Sequence, residues 1–123
     1  MEAGVTEALE PQDHMDRLRP TFAYRLGRLV QACEDHGYEV RLVEGYRTQQ
    51  RQSYLYSIGR TVDRHKPVVT DTLRSKHSVG EAMDICERRR GYSDAGFFRF
   101  VAEAAKRYGL KTLPWDKGHV ELG

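Results

Sequence analysis

Residues 75–86 read Ser75-Lys76-His77-Ser78-Val79-Gly80-Glu81-Ala82-Met83-Asp84-Ile85-Cys86, and the fold turns on this stretch. Ala82 to Cys86 reads as a short, nearly apolar strand with Asp84 at its centre. A carboxylate in that setting is costly unless it is paired or bound to a metal. Gly80 lets the chain turn between His77 and the strand, so a loop residue can meet a strand residue. Asp84 shares a strand face with Ala82, whose small side chain leaves room beside the carboxylate.

A second stretch has the same chemistry: Trp115-Asp116-Lys117-Gly118-His119-Val120-Glu121. His119 to Leu122 reads as a final strand, which puts His119 and Glu121 on one face. Asp116 lies three residues earlier, across Gly118. A catalytic zinc takes three protein ligands and keeps one position open for water. His77, Asp84 and His119 can supply two imidazoles and a carboxylate, leaving a net positive charge that acidifies bound water. Residue types alone leave a structural reading open, with Asp84 as a turn or cap residue and the histidines as hydrogen-bonded groups.

Working outward, Pro20 suits the first turn of a helix. Phe22, Leu26, Leu29, Val30 and Cys33 follow at helical spacing, so a helix is predicted from about Arg19 to His36, stopped by Gly37. Tyr38 to Glu44 alternates as a strand and ends at Gly45. Thr48 is placed to cap a helix over Gln49 to Ile58, with Leu55 and Ile58 facing inward. Residues 60–76 read as a long loop. Ser93 or Asp94 caps a third helix that carries Phe97, Phe100, Val101 and Ala104 on one side, up to Tyr108. The order helix, strand, helix, strand, helix, strand, with few and short strands, favours an α+β fold in a small single domain.

The 123 residues are enough for one such domain. Residues 1–13 read as a loose acidic arm and 14–123 as the folded domain. Formal net charge is +2, too small to argue for nucleic acid. The charge is uneven: residues 41–66 hold six bases and two acids, against four bases and eight acids in residues 1–40. No apolar run approaches a membrane span, so no stable membrane insertion is expected. The first residues lack the basic and apolar regions of a secretory signal, so synthesis in the cytoplasm is expected. Cys33 and Cys86 are expected to be reduced and buried. A nucleophile elbow, a phosphate loop, a dinucleotide fingerprint and a His-Glu-x-x-His helix are all missing from the sequence.

The motifs resemble those of the zinc D-alanyl-D-alanine carboxypeptidase and L-alanyl-D-glutamate peptidase family, which includes many phage endolysins. S-K-H-S-V-G-E-A-M-D is similar to that family's Ser-x-His-x-x-Gly-x-Ala-x-Asp, and D-K-G-H-V-E to its Asp-x-x-His-x-Glu. G-Y-R-T-Q-Q-R-Q-S-Y-L-Y-S-I-G-R, from Gly45 to Arg60, is similar to a third stretch. The resemblance runs from about Leu18 to Leu122. It implies a Hedgehog/DD-peptidase-like fold, a short antiparallel sheet flanked by helices. It implies one zinc ion on His77, Asp84 and His119, Asp116 as general base, and Arg47 steadying the carbonyl and then the oxyanion. It implies Ser75 near the substrate, with Gln52 and Glu121 supporting the site from behind.

The expected activity is hydrolysis of an amide bond in peptidoglycan stem peptides. The L-alanyl-D-glutamate bond is favoured, as in an endolysin acting at the bacterial cell wall as a monomer. The alternatives are a D-alanyl-D-alanine carboxypeptidase or dipeptidase and, in another class, a non-catalytic zinc-containing cell-wall binding module. One departure stands out. Many relatives carry Gly-Gly-x-Trp before the last motif, where this chain has Gly109-Leu110-Lys111-Thr112-Leu113-Pro114-Trp115.

Overall fold

The computed structural model describes residues 11–70, 72 and 75–123. The acidic arm expected over residues 1–13 therefore lies, for residues 1–10, outside the described residues. Among the described residues there are three α-helices: α1 (Pro20–Asp35), α2 (Gln49–Ser57) and α3 (Ala95–Arg107). Four strands, β1 (Val40–Glu44), β2 (Ala82–Glu87), β3 (Leu110–Leu113) and β4 (Asp116–Leu122), make one antiparallel sheet in the order β1-β2-β4-β3. The predicted α+β fold with a short antiparallel sheet is the one observed.

The helices form for the reasons their sequences suggest. Pro20 opens α1, and Phe22, Leu26, Leu29 and Cys33 form its buried stripe. Asp94 caps α3 by accepting from the Phe97 N–H, and Phe97, Val101, Ala104 and Ala105 are its buried face. These stripes meet Met83 and Ile85 of β2 and Val120 of β4 in one core. Alternation along β2 then leaves Ala82, Asp84 and Cys86 on the opposite face of the sheet. One face of the central strand builds the core, and the other carries the chemistry.

Three elements depart from expectation. No strand is predicted over residues 110–113, but they form β3, pairing Leu110 with Leu122 and Thr112 with Val120. Four residues with two apolar positions give too little pattern to separate a strand from a loop. The expected inward residues of α2, Leu55 and Ile58, are only half-buried, and the buried residue of that helix is Gln52. The strand expected over His119 to Leu122 begins at Asp116 instead. Cys33 and Cys86 are buried free thiols, as expected. Burial pushes the Cys33 thiol up to about 11, so it behaves as an apolar core group.

Glu87, at the end of β2, is fully buried and organises the turn that follows. Its carboxylate accepts from the backbone N–H groups of Glu39 at 2.7 Å, Arg89 at 2.8 Å and Arg90 at 3.2 Å. Burial works to raise its pKa, but the Glu39 and Arg89 groups outweigh it and hold it at about 2, below the ordinary 4.5. A carboxylate depressed on folding stabilises the fold above its unfolded pKa, and that stability is lost as pH falls through the folded value. Glu87→Gln is therefore expected to melt at lower temperature than the parent at pH 7. The gap should close as pH falls from about 4.5 to 2. Thermal melts by circular dichroism across that range check this, and a gap that persists at pH 2 would refute it.

Candidate metal centre and active-site cleft

His77 sits in a short 3₁₀ turn, Lys76–Val79, just before β2. Gly80 closes that turn in the left-handed region at φ 73°, where a side chain would press on the Arg17 carbonyl. The His77 Nδ1–H donates to the Gly45 carbonyl at 2.8 Å, and the Arg47 N–H donates to the His77 carbonyl at 2.9 Å. These bonds tie the turn to the end of β1. Because a carbonyl only accepts, Nδ1 carries the ring proton and the Nε2 lone pair is free. Nε2 lies 3.2 Å from Asp84 Oδ1.

His119 has the opposite arrangement. Its Nε2–H donates to Glu121 Oε1 at 2.9 Å, so its Nδ1 lone pair is the free one. Nδ1 lies 3.4 Å from the same Asp84 Oδ1, and β2–β4 pairing sets Asp84 directly opposite His119. Ligand atoms of His77, Asp84 and His119 all lie within 4.8 Å of one another. Asp84 Oδ1 and His119 Nδ1 are buried and have no hydrogen-bond partner among the described residues. Buried polar atoms are seldom left unpaired, and here two electron-rich donors converge on one point. That is the arrangement a cation satisfies, and two imidazoles with one carboxylate suit zinc.

Burial would raise the Asp84 carboxyl, but the His119 and His77 rings beside it outweigh burial and hold it far below the ordinary carboxylate range. Burial would lower His119, but Asp84 and Glu121 outweigh it and keep its pKa above the ordinary value.

Two bulges aim the remaining groups. In β4, Leu113 pairs with Asp116 and Thr112 with Val120, so Lys117, Gly118 and His119 bulge out of the β3 ladder. Residues three apart on a regular strand face opposite sides. The bulge, with Gly118 at φ 86°, instead brings Asp116 Oδ2 to 3.6 Å from His119 Nδ1. A side chain at 118 would also collide with the Ile85 carbonyl. Gly118→Ala is expected to cost on the order of 1–3 kcal/mol from backbone strain alone. Urea unfolding measures it, and an unchanged midpoint would contradict this account of the bulge.

In β1, the register shifts between Leu42 and Glu44, so Glu44 pairs with Asp84. Without that shift Glu44 would face the core with Leu42. The buried Glu44 carboxylate accepts from Arg47 Nη2 at 2.8 Å and Arg51 Nε at 2.8 Å. Burial would raise its pKa, but Arg51 and Arg47 hold it below the ordinary value. Arg47 Nη1 donates to Gln52 Oε1 at 2.9 Å, and Gln52 Nε2 donates to the Thr72 carbonyl at 2.6 Å. The Arg47 guanidinium is thereby fixed 3.8 Å from Asp84 Oδ2.

All eight site residues expected from the sequence come together. Arg47, Ser75, His77, Asp84, Asp116, His119 and Glu121 line one open cleft of about 490 Å³, with Gln52 behind Arg47. Ser75 Oγ is buried there with no hydrogen-bond partner among the described residues. Glu44 and Arg51 were missed. Their signal was the uneven charge of residues 41–66, within which Arg47 and Arg51 both turn inward onto Glu44.

A two-histidine, one-carboxylate triad on the floor of a cleft, with a free carboxylate and a held guanidinium beside it, is a layout for metal-assisted hydrolysis. Residues 15–121 match the VanY family, D-alanyl-D-alanine carboxypeptidase, and the chain belongs to that family of peptidases. Several solved structures have the same fold. One is the vancomycin resistance D,D-pentapeptidase VanY of a VanB-type cassette, in complex with Zn(II). It has TM-score 0.69 and 20% identity over 93% of this chain and 77% of that one. The L-Ala D-Glu endopeptidase ChiX of Serratia marcescens has TM-score 0.63 and 18% identity over 100% and 89%. The LD-carboxypeptidase LdcB has TM-score 0.67 and 24% identity over 85% of this chain, which spans 58% of that structure. At these identities the likeness is one of fold. No curated protein sequence matches the chain.

Proposed function

We propose that the protein is a zinc peptidase of peptidoglycan stem peptides and that it cuts the L-alanyl-D-glutamate bond. The observation that carries the peptidase reading is the convergence of His77 Nε2, Asp84 Oδ1 and His119 Nδ1, with two of the three atoms otherwise orphaned. Zinc held there supplies a Lewis acid for the scissile carbonyl and lowers the pKa of water. Asp116, a side chain 54% exposed at the edge of the cleft, takes the proton of the attacking water and delivers it to the leaving amine. Arg47, held by Glu44 and Gln52, donates to the oxygen on which negative charge develops. Its preorganisation matters, because a guanidinium already in place does not reorganise as the charge forms. Ser75 Oγ donates to the peptide backbone of the substrate, and Glu121 holds the His119 ring.

The endopeptidase choice draws its support from the likeness to the L-Ala D-Glu endopeptidase ChiX, which covers 100% of this chain. The family match favours a second reading, a D,D-carboxypeptidase. Digestion of purified peptidoglycan, read by mass spectrometry, separates them. New D-glutamate amino termini, lost on chelation and restored by zinc, are the expected result. Release of free D-alanine with the L-Ala–D-Glu bond intact would establish the carboxypeptidase. No cleavage by folded, zinc-loaded protein would leave a binding module.

A further inference from the structure

Trp115 is the chain's single tryptophan, and it is 80% exposed. It occupies the tip of the β3–β4 hairpin, a two-residue turn of Pro114 and Trp115 closed by the Leu113–Asp116 pair. Glycine, asparagine and aspartate are the usual residues of such tips. Pro114 fixes its own φ and stiffens the turn, so the indole is presented on a rigid support. Nothing in the fold of the described residues covers it. Trp115 nonetheless lines the same cleft as Asp116 and His119, and Val69, 57% exposed, lines that cleft from the segment after α2. The indole therefore stands at the mouth of the site, next in sequence to the proposed general base.

We infer that Trp115 is a stacking platform for a pyranose ring of the peptidoglycan glycan, so that the enzyme recognises sugar and peptide together. This inference rests on the peptidoglycan reading above and adds the glycan to the substrate it recognises. With Leu113 and Pro114 before it and the charged Asp116 and Lys117 after it, the single indole is a small apolar face with a polar border, not the continuous apolar patch that a membrane or a large protein surface needs. It does match a sugar, which has an apolar C–H face and a polar rim. Trp115 and Asp116 line one cleft, so a group seated on the indole lies beside a bond processed at Asp116. In a stem peptide the first L-alanine is joined to the sugar through a lactyl group. The sugar is thus one residue from the L-Ala–D-Glu bond. It is three residues, about 10 Å of extended chain, further from a terminal D-Ala–D-Ala bond. Sugar contact at Trp115 and cleavage after L-alanine belong together.

The test uses the zinc-loaded protein and the emission of its single indole. N-Acetylmuramyl-L-alanine, the uncleavable product side, is compared with N-lactyl-L-alanine, which keeps the lactyl-alanine unit and has no sugar. The expected result is a blue shift with the sugar-bearing probe, half-saturating at about tenfold lower concentration, the size of one good aromatic contact. By calorimetry, Trp115→Ala should bind that probe about tenfold more weakly while Trp115→Phe retains most of the affinity. Equal responses with and without sugar, or wild-type binding by Trp115→Ala, would overturn the inference. Sugar-dependent binding by a protein that cleaves nothing would sink the peptidase reading and leave this one standing. Cleavage without any sugar-dependent response would do the reverse.

Discussion

Asp84→Ala is expected to abolish tight zinc binding. Asp84 is the carboxylate of the triad, and its Oδ1 is the point nearest both free imidazole lone pairs, at 3.2 Å and 3.4 Å. Loss of a group that merely orients a ligand costs about 10–100-fold in metal affinity, so removing a ligand itself should exceed about 100-fold. The fold should survive, because Asp84 lies on the face of β2 away from the core and both neighbours of that strand remain. A ligand that binds the native state at 100 times its dissociation constant adds about 2.7 kcal/mol of stability. Zinc should thus raise the melting temperature of the parent protein and leave that of Asp84→Ala unmoved. Isothermal calorimetry with zinc and paired thermal melts check both. Unchanged zinc affinity in the variant would remove the metal centre as described.

Asp116→Ala is expected to separate metal binding from turnover. Asp116 lies 3.6 Å from His119 Nδ1, is more than half exposed and makes no bond on which the triad depends. Zinc content should stay at that of the parent. Positioned general acid–base catalysis is worth about 10²–10⁴-fold, and the loss should fall on kcat with KM little changed. Assay of the zinc-loaded variant on purified peptidoglycan reads this directly. A loss of zinc in step with activity would make Asp116 a ligand. Full activity would show that proton transfer runs elsewhere.

Much of the frame was legible in the sequence because periodicity and caps are local signals. The α1 stripe from Phe22 to Cys33 and the α3 stripe from Phe97 to Ala104 are written at helical spacing, and Thr48 and Asp94 act as caps where expected. Strand β3 was not legible, since Leu110-Lys111-Thr112-Leu113 is stabilised by its pairing with β4 rather than by its own pattern. Gln52 as the buried residue of α2 was not legible either. A polar side chain goes inside only because Arg47 and the Thr72 carbonyl satisfy both ends of its amide.

The sequence by itself determined the donor set and the strand that presents it. An aspartate inside the apolar run Ala82 to Cys86, a histidine before Gly80, and His119 and Glu121 two apart on a strand are local facts, and each limits what the residue can do. Only the tertiary structure decided where those donors meet. Asp84 faces His119 because β2 and β4 pair in that register. Asp116 joins them because three residues bulge out of the β3–β4 ladder, and Glu44 reaches Arg47 because β1 slips by one residue against β2. A one-residue slip reverses the face of every side chain beyond it, and such slips are set by the pairing of distant segments.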